Sequence, residues 1–67
     1  MLSEYVLKQL AEFRAMSPKP MHAFVNVPPG ELDELKEEMN TLGYDYVYTS
    51  ETFKSGRLNV MFTQKAT

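Results

Sequence analysis

Residues 21–43 read Met21-His22-Ala23-Phe24-Val25-Asn26-Val27-Pro28-Pro29-Gly30-Glu31-Leu32-Asp33-Glu34-Leu35-Lys36-Glu37-Glu38-Met39-Asn40-Thr41-Leu42-Gly43. The apolar period changes halfway along this stretch. Met21, Ala23, Val25 and Val27 alternate with His22, Phe24 and Asn26, which is the period of two that a strand requires. Leu32, Leu35, Met39 and Leu42 then form one stripe of a helix over residues 30–42. Pro28-Pro29-Gly30 marks the break between the two. Proline suits the first turn of a helix, where its missing N–H would have no partner anyway. Glu31, Asp33 and Glu34 fall beside the positive end of the helix dipole. Gly43 follows the last apolar position, where a left-handed residue closes many helices, so a positive φ is predicted there.

Downstream, residues 44–53 and 57–65 read as the two strands of a hairpin, with Lys54-Ser55-Gly56 as the turn. Tyr44, Tyr46 and Tyr48 alternate with Asp45, Val47 and Thr49; Leu58, Val60 and Phe62 alternate with Asn59, Met61 and Thr63. A three-residue loop pairs Tyr48 with Phe62 and Thr52 with Leu58, and gathers the tyrosines, Leu58, Val60 and Phe62 on one face. A two-residue loop would slip the register and mix the faces.

Upstream, Leu2, Val6, Leu10 and Phe13, with Tyr5 beside them, predict a helix over 3–16, with Ser3 as its N-cap. Glu4 and Lys8 form a favourable pair one turn apart. Ser17-Pro18-Lys19-Pro20 ends this helix and makes a short stiff linker over 17–20. The predicted fold class is therefore α+β: a small single domain over 1–67 in the order α-β-α-β-β, with two helices packed on a three-stranded mixed sheet. The β-α-β passage predicts parallel first and second strands and a right-handed crossover. The third strand, antiparallel to the second, belongs either outside it or between the other two.

Residues 21–65, as a β-α-β-β unit, look like half of a ferredoxin-like domain. The passage Val27-Pro28-Pro29-Gly30-Glu31-Leu32 resembles the first turn of amino-acid-binding ACT domains, and that resemblance implies a small-ligand sensor. ACT domains continue through a second helix and a fourth strand, whereas the pattern here stops at the third strand.

The chain has 67 residues, no Cys and a single His. A core this small is marginal, because a short chain buries only about 60% of its unfolded surface. Disulfides are impossible, and His22 alone is a poor basis for a zinc site, which leaves self-association as reinforcement. Nothing approaches the run of about 20 apolar residues that spans a membrane. The start Met1-Leu2-Ser3-Glu4-Tyr5 lacks a basic region followed by an apolar run, so no signal peptide and a cytoplasmic location are expected. Net charge is −2, unevenly spread. Lys36 stands among Glu31, Asp33, Glu34, Glu37, Glu38, Asp45 and Glu51, while Lys54, Arg57 and Lys65 make the end of the chain basic. An acidic middle is poor material for a duplex-DNA protein, which concentrates basic groups on one face.

No catalytic constellation is legible. His22 would need an orienting carboxylate, for which Asp45 and Glu51 are candidates, and a strand histidine at a surface or interface is the simpler reading. Glu31, Glu34 and Glu38 share helical spacing, but they lack the oxygen-ligand loop of a calcium site and read as a solvated face. No cofactor is expected, since neither GxxxxGK[ST] nor GxGxxG is present.

Two surfaces remain. Phe24, Val47 and Met61, with His22 at their margin, are too apolar for a free sheet face. Either the first helix covers them, or they form an interface with a protein partner, including a second copy in a homodimer. Alternatively, Tyr44, Tyr46, Tyr48 and Phe62, with Lys54 and Arg57, could stack on single-stranded nucleic acid. The favoured reading of that row is an inner face beneath the second helix. The expected function is thus a small non-enzymatic interaction or regulatory protein. Nucleic-acid binding comes second and ligand sensing third.

Overall fold

A computed structural model describes residues 1–51 and 56–65. The elements are α1 (Glu4–Ala15), β1 (His22–Val27), a 3-10 turn (Pro29–Glu31), α2 (Leu32–Thr41), β2 (Tyr44–Glu51) and β3 (Leu58–Gln64). The strands form one sheet in the order β1-β3-β2, and both pairings are antiparallel. The expected mixed sheet is thereby corrected. β1 and β2 do run in the same direction, but β3 lies between them. The residues explain the placement: β3 carries Val60, Met61 and Phe62 in succession, apolar toward both faces, whereas β2 is rich in hydroxyl and acidic side chains.

α1 forms because Val6, Leu10 and Phe13 return to one side at spacings of four and three, and all three are buried. Ser3 does occupy the N-cap position, but its side chain makes no capping bond. Its N–H instead donates to Glu31 Oε1 at 2.5 Å. At the other end, Lys19 Nζ donates to the carbonyls of Arg14 (3.1 Å) and Met16 (3.5 Å). A cation at the carbonyl end of a helix is favoured by the dipole as well as by the hydrogen bonds.

β1 alternates as the sequence predicts, with Ala23, Val25 and Val27 buried and Phe24 exposed. α2 buries Leu35 and Met39 completely, while Leu32 and Leu42 pack partly buried against the core. Gly43 has φ +91°, the left-handed conformation expected of it. It holds the turn in both directions: its N–H donates to Asn40 O, and its carbonyl accepts from Lys65 N–H, at 3.1 and 3.0 Å.

The register of β2 departs from expectation. Tyr46, not Tyr48, pairs with Phe62, two residues from the expected register, and a β-bulge between Tyr46 and Tyr48 then sets Tyr48 opposite Met61. Val47 is the extra residue. From there on, side chains change face relative to a regular strand. Glu51, not Thr52, stands opposite Leu58; Thr52 and the turn residues Lys54 and Ser55 lie outside the described residues.

Both helices cover the same face of the sheet. One cluster of buried residues joins Val6, Leu10 and Phe13 of α1, Leu35 and Met39 of α2, and Ala23, Val25, Val60 and Phe62 of the strands. Polar contacts between the helices follow in order: Met1 amino group to Glu34, Ser3 N–H to Glu31, and Arg14 to Glu38 at 3.3 Å. Among the described residues no helix is long and apolar enough to cross a membrane.

Candidate interaction surface

The face away from the helices is built from three transverse rows, read directly from the strand register. His22, Thr63 and Asp45 form one; Phe24, Met61 and Tyr48 form the next; Asn26, Asn59 and Ser50 form the third. The middle row is apolar and aromatic from one edge of the sheet to the other. Phe24 is 58% exposed and Tyr48 47% exposed, and Met61 between them is half-buried. Val47, at the bulge, is 44% exposed. The rows on either side are polar. Neither helix lies over them, because each helix has a single apolar stripe and both stripes are used on the opposite face.

The four residues expected at an interface, Phe24, Val47, Met61 and His22, are therefore none of them in the core. Phe24, Met61 and His22 share the open face by register, and Val47 is exposed at the bulge beside Tyr48. Tyr48 was not foreseen as a neighbour of Phe24 and Met61. Continued regularly from the Tyr46–Phe62 pair, the strand would have put it opposite Val60 on the helix side, and no Gly in Tyr44–Thr49 announces the bulge that turns it outward.

The tyrosine row is split by the same bulge. Tyr44 is 2% exposed, with its ring edge-on to Phe13 at 4.9 Å and its hydroxyl donating to the Pro20 carbonyl. Phe62 is fully buried. Tyr46 stands on the helix side, edge-on to Phe62, with Lys36 Nζ 4.2 Å from its ring centroid and its hydroxyl 2.7 Å from Thr49 Oγ1. Tyr44 and Phe62 are thus buried on the helix side, Tyr46 is on the same side but 42% exposed, and Tyr48 alone is turned to the open face. Arg57 lies over the ring of Tyr5 at 4.1 Å; Lys54 is outside the described residues.

His22 and Asp45 sit in one row, but Thr63 lies between them. Two strand spacings separate them, about 10 Å, too far for a hydrogen bond. Glu51 is aligned with Leu58 and Val27, on the other face. Glu31 of the 3-10 turn and Glu34 and Glu38 of α2 serve the helix junction: Glu34 accepts from the Met1 amino group at 2.6 Å, Glu31 from Ser3, Glu38 from Arg14. That amino group holds the Glu34 carboxyl below its ordinary value, and Glu34 in turn raises the amino group. Among the described residues, no three His, Cys, Asp or Glu side chains gather to hold a metal ion.

Comparison with known proteins gives no matching family model, no similar curated protein and no similar solved structure.

Proposed function

We propose that this chain is a small non-enzymatic interaction protein that binds a protein partner through the open face of its sheet, and that it also self-associates there. The observation carrying this reading is the row Phe24–Met61–Tyr48, with both rings exposed and Met61 half-buried between them, set between two polar rows. An aromatic and methionine centre with a polar margin is the composition of protein interfaces. Single-stranded nucleic acid would stack on the same two rings. The three rows, however, carry no Lys or Arg to meet phosphate, and their one carboxylate, Asp45, repels it. The half-ferredoxin likeness of the β-α-β-β unit agrees with this reading, since a split β-α-β leaves one sheet face free of its own helix.

The size of the face limits the strength of association. Three strands about 4.8 Å apart and six residues long outline roughly 300 Å², well below the roughly 800 Å² per partner of a stable complex. Self-association through this face alone is therefore weak and concentration-dependent, and tight binding requires a partner that reaches beyond the rows.

Sedimentation of the wild type and of Phe24→Asp from micromolar to millimolar concentration tests this. The wild type should move toward dimer as concentration rises, and Phe24→Asp should stay monomeric with an unchanged circular-dichroism spectrum. A wild type that is monomeric at millimolar concentration removes self-association. A folded variant that dimerises as the wild type does moves the contact off this face.

A further inference from the structure

β1 is an edge strand, and a side chain of the chain itself satisfies its free backbone at one position. Gln9 Nε2 donates to the Asn26 carbonyl at 2.7 Å, and Gln9 Oε1 accepts from the Asn26 N–H at 3.0 Å. A primary amide held this way reproduces one peptide group of a neighbouring strand. The backbone of Asn26 therefore faces away from β3. Backbone direction alternates along a strand, so the N–H and C=O of His22 and Phe24 face the same free side. The odd positions turn the other way, as Met21 shows by accepting from Gln64 N–H at 2.8 Å.

Beside this stretch runs a groove of about 300 Å³ between α1 and β1. Gln9, Glu12, Phe13 and Met16 wall it from successive turns of the helix, and His22 and Phe24 wall it from the strand. Phe13 and Met16 make the helix wall largely apolar. Glu12 is exposed on the same wall, and among the described residues it enters no ion pair.

We infer that this groove receives an extended peptide segment of a partner protein as a fourth strand, with a basic side chain of that segment against Glu12. Two features select this occupant. Donors and acceptors at strand spacing are matched only by another extended backbone, the basis of recognition by strand addition. The lone carboxylate supplies charge complementarity, favouring Lys or Arg where an acidic segment would be repelled. Gln9 sets the register: its amide already holds Asn26, so the guest pairs at Phe24 and His22 and stops there. The pairing groups lie along the β1 edge in the plane of the sheet; the side chains of His22 and Phe24 also border the open face, so the two sites are told apart by whether Met61 and Tyr48 respond.

The test uses the intact chain, isotope-labelled, titrated with acetyl-Thr-Val-Lys-Val-Thr-amide while the amide signals are followed by NMR. Saturable shifts are expected at the amides of His22 and Phe24, with slowed hydrogen exchange at Phe24. The same peptide N-methylated at its three central residues should lose binding, because it cannot pair as a strand. Replacing its Lys with Glu should weaken binding about threefold, the worth of an exposed ion pair. Glu12→Gln, a surface change that leaves the fold intact, should abolish that preference. The inference is overturned if no saturable shift occurs at millimolar peptide, if the N-methylated peptide binds equally well, or if the shifts fall on Met61 and Tyr48 instead of the β1 edge.

Discussion

The two faces of the sheet are made from the same three strands, and neighbouring residues have opposite fates. On β3, Val60 and Phe62 are fully buried while Met61 between them is only half-buried. On β1, Ala23 and Val25 are 6% and 4% exposed, and Phe24 between them is 58% exposed. Hydrophobicity does not separate them, since Phe24 has the largest apolar side chain of β1. Shape and cover do. Ala23 and Val25 are small enough for α1 to approach closely, and the two helices carry apolar stripes enough for one face only. What the difference teaches is that period-two alternation assigns residues to faces, whereas the number of helical stripes decides how many faces are covered.

The sharpest way to break that comparison is to weaken the cover. Leu35 is fully buried on α2. Leu35→Ala should cost about 2–5 kcal/mol, the lost transfer energy plus the cavity left behind. A domain of this size has little more than that in total, so the change should remove most of its stability. Thermal or urea denaturation measures it. An unchanged midpoint would show that the helix face described here is not what holds the sheet.

The opposite face should behave otherwise in the isolated chain. Phe24→Thr replaces one good strand former with another and removes a ring that is mostly in water already. Its effect on unfolding free energy, measured where the chain is monomeric, should lie within about 0.5 kcal/mol, as for other surface substitutions. A loss as large as that of Leu35→Ala would mean that the open face is part of the core, and would remove the reason to expect a partner there.

Much of this contrast was legible in the sequence, and the rest was not, for physical reasons. α1, β1 and α2 follow from local periodicity, and Gly43 follows from the φ that only glycine adopts without strain. Phe24, Met61 and His22 fall on one face by alternation alone. The position of β3 between β1 and β2 depends on pairing between residues far apart in sequence, such as Ala23 with Phe62, and local pattern carries little of that information. Tyr48 was placed with the wrong neighbours because one extra residue, Val47, reverses every later side chain, and a bulge without glycine has no local signature. Gln9 reads as an ordinary polar helix position; only the folded chain brings its amide to the edge of β1.

The smallest expected effect asks what keeps the helices on their face. The ion pair between the Met1 amino group and Glu34 joins α1 to α2 at the margin, with Met1 fully exposed. Hydrogen bonding to that amino group lowers the Glu34 carboxyl, so its contribution is present above the ordinary carboxyl value of 4.5 and is lost as pH falls through the depressed one. The same bond raises the amino group, so its contribution is present below the ordinary 8.0 and is lost as pH rises through the elevated one. The pair therefore acts between those limits and fades on both sides. Glu34→Gln should lower the melting midpoint slightly near neutral pH, less than either substitution discussed above perturbs its own face, and not at all in acid. Melting curves of both proteins across that pH range provide the measurement. A neutral-pH loss rivalling that of Leu35→Ala would make charge, and not burial, the force that covers the inner face. A loss that persisted unchanged in acid would assign the effect of Glu34 to packing, since its carboxyl is then uncharged.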